Sequence, residues 1–252
     1  MGWAAIVLVV VVLAAYLVGT AALGPGRRPD PVRVTAFVLG AVSLGIAVSP
    51  WLERLAAGDL AVHMAQHVLL WLVAAPLMVV GGPLRPLARA LGGAGRRTMR
   101  RLPRWVWRAR ARAGTAGGLA TAWAVSTATL WSWHLPPLYQ AAVRSPILHA
   151  LEHASLLATA VLFWWAVAAA RRGAGEGPAL LSLLLSSGQS AALGALMTFS
   201  GTPWYATYPS LERQQLAGLV MWIPGGLVYL AAAGVLFLRW LERSEAAAQR
   251  SV

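Results

Sequence analysis

The sequence of 252 residues contains no cysteine, and all 21 of its basic residues are arginine, so it has no lysine either. Without cysteine there are no disulfides, no thiolate metal ligands and no thiol nucleophile, and any transition-metal chemistry falls to His, Met or carboxylate. Charge is scarce: 12% of residues are ionisable at neutral pH, where a soluble domain carries about 25%. Acidic residues number only 8, which leaves a formal net charge of +13. Strand-like alternation and internal repeats are also missing, so nothing in the pattern favours a β-rich or solenoid fold.

What is present is apolar. Hydrophobic residues make up 58% of the chain and Trp alone contributes 13, a composition that excludes both a cytosolic globule and a disordered chain. A helix needs about 20 apolar residues to cross a bilayer, and segments 3–23, 32–49, 60–80, 115–135, 147–170, 178–199 and 214–238 qualify. The prediction is an all-α polytopic membrane protein with seven transmembrane helices in a single bundle covering 1–252. Segment 32–49 is short and holds Thr35 and Ser43. Segment 3–23 lacks the basic start of a secretory signal and outruns the usual apolar stretch, which predicts a helix that stays.

Arginine sets the orientation, because basic residues are retained on the cytoplasmic face. With the N-terminus outside and the C-terminus in the cytoplasm, 18 Arg fall inside, ten of them between Arg85 and Arg112, against Arg54, Arg144 and Arg213 outside. Trp3, Trp51, Trp131, Trp133 and Trp204 then fall at outer boundaries and Trp105, Trp107, Trp164, Trp165 and Trp240 at inner ones, as interfacial belts. The loop 81–114 interleaves its Arg with Leu87, Leu91, Leu102, Trp105 and Trp107, a pattern suited to lying amphipathically on anionic lipid headgroups. The basic charge therefore reports topology, and a nucleic-acid partner is not expected.

All five His fall toward the outer side. His63/His67 and His149/His153 are i, i+4 pairs, each placing two imidazoles on one helix face. Counted at ~1.5 Å per residue, the members of the two pairs lie at matching depths, roughly 3–5 Å and 9–10 Å below the boundary. Glu152 lies close to the same face, and His134 ends the fourth segment. Ionisable groups inside a membrane mark functional sites or pathways. Met64, Met197 and Met221 occupy the same layer. Imidazole with thioether and no thiolate suits copper, particularly Cu(I), although all-imidazole sites also suit zinc. The expected metal ligands are His63, His67, His149 and His153, with His134, Glu152, Met64, Met197 and Met221 as weaker candidates.

Two hydrolase motifs bear on this. His63-Met-Ala-Gln-His67 has zincin spacing but no general-base Glu, whereas His149-Ala-Leu-Glu152-His153 reads as H-x-x-E-H without a downstream carboxylate on the same side. A membrane-embedded zinc hydrolase using Glu152 as base stays open, as do haem held between the helices and copper permeation.

Four stretches in order then resemble one family. They are His63-Met-Ala-Gln-His67 with Leu69-Leu70 and Ala75-Pro76-Leu77; Trp133-His134-Leu-Pro136-Pro137-Leu-Tyr139; His149-Ala-Leu-Glu152-His153; and Gln214-Gln215-Leu-Ala-Gly218-Leu-Val-Met221-Trp222-Ile-Pro224-Gly225-Gly226. Together they resemble the multi-spanning CtaG family of bacterial cytochrome c oxidase assembly factors. The resemblance implies a non-enzymatic, metallochaperone-like role in maturing a haem-copper oxidase, with oxidase subunits as partners, the plasma membrane as location and the His motifs as the metal site. A homo-oligomer is compatible with it. Arg213 departs from the pattern, since an acidic residue is expected ahead of the paired Gln; Glu212 is the nearest substitute. In the last two segments, Ser182, Ser186, Ser187, Gly188, Gln189, Ser190 and Gly194 favour close helix contact, and Pro224-Gly225-Gly226 is expected to kink or open the backbone below Met221.

Overall fold

A computed structural model of the chain describes residues 2–93, 95, 97, 112–170 and 175–249, and every regular element among them is helical. In chain order these are α1 (Gly2–Ala21), α2 (Pro31–Ala47), α3 (Pro50–Ala56), α4 (Leu60–Val80), α5 (Leu84–Ala90), α6 (Ala116–His134), α7 (Pro136–Arg144), α8 (Pro146–Ala170), α9 (Glu176–Thr198) and α10 (Leu211–Ala248). Five of them, α1, α4, α8, α9 and α10, are long and apolar enough to cross a membrane. A sixth span results if α2 and α3, bent by 52° at their break, are counted together. The predicted segment 115–135 forms α6, 19 residues long, but Gly117, Gly118, Thr121, Ser126 and Thr129 dilute its apolarity.

Local chemistry explains most boundaries. Asp30, Ser49, Asp59 and Thr115 each accept a backbone N–H of the first turn that follows them, supplying the acceptor that a helix start lacks. Pro31, Pro50, Pro136 and Pro146 occupy first helical positions, where a missing N–H costs nothing. Pro136 also holds Leu135 extended at φ −65° and ψ 129°, which ends α6 immediately after His134 and turns the chain into α7.

The central helix is α4, which is packed against α2, α3, α8 and α10. It is not uniform: residues Leu69–Ala74 form a π-helical turn in which the Ala75 N–H bonds the Leu70 carbonyl. Pro76 supplies the reason, since its ring crowds the Leu72 carbonyl four residues back and offers it no donor. The Trp71 carbonyl in this wide turn accepts from the Trp164 indole at 3.3 Å, which ties α4 to α8. Helices α9 and α10 cross closely at Gly194 and Gly218, where a Cβ on Gly218 would come 2.4 Å from the Gly194 carbonyl oxygen. Helix α10 is one continuous element through Pro224, although the proline offers no N–H to the Val220 carbonyl four residues back.

The two ends of the bundle differ. At one, Arg28 bonds the Ala21 and Leu23 carbonyls, Arg89 bonds the Ala22 carbonyl, and Arg243 pairs with Glu176. Arg28 and Arg89 neutralise the C-terminus of α1, whereas Arg243 ties α10 to the acidic first turn of α9. The Leu102, Trp105 and Trp107 portion of the basic loop lies outside the described residues. At the other end, Trp3 and Trp51 are exposed as expected of a belt, but Trp133 is not: it is buried and donates to Ser155 Oγ at 2.8 Å. Trp131 likewise donates to Gln189 Oε1 at 2.8 Å, so both indoles knit helices together rather than face headgroups.

Candidate metal site

The second end of the bundle gathers the ionisable side chains of α4, α6 and α8. Asp59 begins α4 by accepting the Ala61 N–H at 2.9 Å, and Ser145 begins α8 with its Oγ 3.4 Å from the Leu148 N–H. Each His pair is thereby set within the first two turns of its helix, and the two helices bring the pairs face to face. His63 Nε2 and His67 Nε2 are 3.0 Å apart. Ring centroids are separated by 5.3 Å for His63 and His149, 5.3 Å for His67 and His153, and 4.2 Å for His149 and His153.

Two groups of three ligand atoms lie within 4.8 Å of one another: His63, His67 and His153, and His63, His149 and Glu152. Glu152 is fully buried, neither of its oxygens is hydrogen-bonded, and its nearest cationic candidate is His67 Nε2 at 3.6 Å. His67 Nδ1, His149 Nε2 and His153 Nε2 are also buried without partners. Buried polar atoms in native folds are almost always paired, so this concentration of unpartnered groups in one place makes the cluster a candidate ligand set. His134 extends it: its Nδ1–H donates to the Leu130 carbonyl at 2.7 Å, which leaves Nε2 unprotonated and 3.4 Å from Met64 Sδ. A nitrogen lone pair and a thioether then face each other with no proton between them.

A pocket of about 310 Å³ reaches this cluster from the surface of the bundle, lined by Glu53, His63, His149, His153 and Tyr208 among others. His67, Glu152 and His134 are not on its wall and form the deeper part.

A profile of the cytochrome c oxidase caa3 assembly factors matches residues 14–243. The chain belongs to that family. No curated protein and no solved structure matches the chain. In this assembly factor the predicted primary candidates His63, His67, His149 and His153 are brought together, and Glu152 and His134 join them. Met64 is the one methionine among the described residues whose sulfur lies against an imidazole. Met197 and Met221 are buried, as Met64 is, in the cluster of apolar side chains that adjoins the site.

Glu212 does not replace the missing acidic ligand: it is exposed and accepts from Ser210 at the start of α10. Arg213 bonds Asp59 Oδ2 at 2.9 Å, so it braces the cap of α4 from the neighbouring helix. The paired-Gln motif has a positional role, since Gln214 accepts the Trp204 N–H at 2.6 Å and donates to the Thr202 carbonyl at 3.2 Å. It anchors the segment 199–210, and with it Tyr205 and Tyr208.

Those two tyrosines and Tyr139 were not singled out from sequence as site residues. Tyr139 stacks on Tyr205 at 4.1 Å and lies 5.2 Å from the His63 ring. Tyr205 donates to the His134 carbonyl at 2.9 Å, and Tyr208 to the Ala56 carbonyl at 2.8 Å. Burial pushes the Tyr208 hydroxyl up to about 12 and that of Tyr139 well above its ordinary value, so these phenols are neutral at physiological pH. A signal existed in the sequence: three of its five Tyr fall within or beside the His-bearing end.

Proposed function

We infer that this assembly factor binds copper, as Cu(I), at the His/Met cluster and supplies it to a haem-copper cytochrome c oxidase during assembly. The observation that carries the inference is the convergence of His63, His67, His149, His153 and Glu152, largely without hydrogen-bond partners, beneath a pocket open to one end of the bundle. The absence of thiolate and the approach of Met64 to His134 favour a soft monovalent ion. Direct ring-against-ring contact of the imidazoles favours a bare ion over a flat macrocycle.

The topology belongs to the same proposal. Counting α6 and the bent α2–α3 pair gives seven spans, with the N-terminus outside, the C-terminus in the cytoplasm, and the pocket facing the extracytoplasmic side of the plasma membrane. The Arg-rich loop then rests on anionic headgroups at the cytoplasmic face, and the outer surface meets oxidase subunits.

Purified protein in detergent is expected to bind Cu(I), and a His67→Ala/His153→Ala double variant to lose that binding. Unchanged stoichiometry in the double variant would remove the site. The zinc-hydrolase alternative draws on the same Glu152 and separates cleanly: it requires zinc in the protein as purified and turnover lost in Glu152→Gln with metal retained.

A further inference from the structure

Of the 8 acidic residues in the chain, all but one have an evident place. Asp30, Glu176, Glu242 and Glu245 belong to the arginine-bearing end. Asp59 is held by Arg213 and by the Ala61 N–H, Glu212 accepts from Ser210, and Glu152 is buried off the pocket wall. Glu53 remains. It is part-exposed, lines the pocket with His63, His149 and His153, and has no ion-pair partner among the described residues. Resting on the copper reading above, we propose that Glu53 is the carboxylate that receives the ion at the pocket and passes it to the imidazoles, without staying bound to it.

The composition of the wall leaves this task to one residue. Besides Glu53 and the three His, the lining side chains are four Ala, Val143, Pro146 and Tyr208, and the Tyr208 hydroxyl donates to the Ala56 carbonyl. Glu53 is thus the one anionic group on the wall, and it is more exposed than His63 and His153, which are 2% and 7% exposed. His153 Nε2 is buried without a hydrogen-bond partner, so an unpaired imidazole nitrogen adjoins the same cavity. A cation that sheds water against an apolar wall loses stabilisation that alanine cannot return; a part-exposed carboxylate supplies opposite charge while water still reaches the ion. At about 310 Å³ the cavity is far roomier than a bare ion, which suits hydrated entry. The fold also aims the residue. The chain bends by 52° between α2 and α3, Ser49 caps α3 by accepting the Leu52 N–H at 3.2 Å, and Tyr208 holds its last turn through the Ala56 carbonyl. Gln66 of the first His motif donates to the Ala47 carbonyl at the end of α2. The bend that carries Glu53 is thereby tied to the helix that carries His63, a role that spanning a bilayer does not by itself require.

The test is anaerobic stopped-flow loading of the full chain in a non-ionic detergent at low salt, with Cu(I) supplied as its cationic acetonitrile complex and tryptophan fluorescence as the readout, followed by release into an excess of a water-soluble Cu(I) chelator. A group on the path lowers the barrier in both directions and leaves the end states alone. Glu53→Gln should therefore load and release about fivefold more slowly than the wild type, with unchanged affinity and stoichiometry. Glu53→Asp keeps the charge and should restore most of the rate, whereas Glu53→Lys should load more slowly than Glu53→Gln. Glu212→Gln removes an exposed charge that is off the pocket wall and should load as the wild type does. Gel filtration and the near-UV spectrum identify any variant that misfolds, and the three Glu53 variants give independent readings. Wild-type rates in Glu53→Gln, or equal slowing in Glu212→Gln, would overturn the proposal while leaving the copper site standing. Faster release with weaker affinity in Glu53→Gln would make Glu53 a resident ligand and would overturn it as well. A wild-type chain that binds no Cu(I) would refute the copper reading itself, and the route with it.

Discussion

Two substitutions that delete the same atom should act with opposite sign. Tyr139 and Tyr205 are both fully buried and stacked on each other, yet the Tyr205 hydroxyl bonds the His134 carbonyl while the Tyr139 hydroxyl has no partner. The nearby Tyr208 hydroxyl donates to the Ala56 carbonyl, and although its oxygen is free to accept, no Tyr139–Tyr208 bond of hydrogen-bonding geometry forms. An unpaired buried hydroxyl costs about 1–3 kcal/mol, so Tyr139→Phe should stabilise by about 1–2 kcal/mol. Tyr205→Phe loses a hydrogen bond and orphans the acceptor at the end of α6, and should destabilise by a similar amount. At roughly 2–4 °C per kcal/mol for a chain of this size, the midpoints should separate by at least about 4 °C, with the wild type between them. Thermal unfolding in a single detergent, followed by near-UV circular dichroism, measures this. Equal destabilisation by both would show that Tyr139 has a hydrogen bond in the folded protein, and the count of free polar atoms at the site would be wrong.

Asp59→Ala removes a helix cap together with an ion pair to a half-exposed Arg213. It should cost about 1–2 kcal/mol, and the loss should persist at 1 M salt, since capping is not screened as the ion pair is; a loss that vanishes at high salt would assign it to the ion pair alone. Gly218→Ala places a Cβ against the Gly194 backbone and should cost about 1–3 kcal/mol, read as a lowered midpoint; an unchanged midpoint would mean that α9 and α10 are not in contact there. Glu212→Gln should leave Cu(I) affinity unchanged, and weakened binding would return an acidic ligand to the start of α10. Tyr208 has a hydroxyl raised from 10.0 to about 12 by burial. The unfolded chain gives up this proton first, so its contribution is full below pH 10 and is lost as pH climbs toward 12. Tyrosinate absorbance appearing for all tyrosines near pH 10 would contradict that.

The His-bearing helices were legible because two constraints coincide in the sequence. An i, i+4 pair fixes a face, and distance from the segment boundary fixes a depth; together these forecast that His63/His67 would meet His149/His153. His134 was ranked lower, since Trp131–Tyr139 also reads as a rigid helix exit with interfacial aromatics, yet the end of α6 carries its ring to 6.0 Å from that of His67. The tyrosines were not legible as site residues. Tyr205 and Tyr208 reach the site through an irregular segment whose path depends on Gln214, and no periodicity describes such a path. Trp133 misled for the opposite reason: its position at a boundary is what a belt residue shows, and only the adjacent Ser155 reveals that it faces inward.

The wide turn at Leu69–Ala74 also bears on how residues can be counted along α4. A π-turn carries one residue more than an α-turn, so the helix holds two registers joined end to end. The His pair is aimed by the first and Trp71 onward by the second. Deleting a single residue inside the turn would remove the extra register, with Pro76 still interrupting the hydrogen-bond ladder, and it would rotate everything on one side of the deletion by about 100° relative to the other. Either the imidazoles or the Trp71 face would then point away from the bundle. For this helix, losing the extra residue is the damaging change, and alignments that close it as a gap would superpose faces that do not correspond.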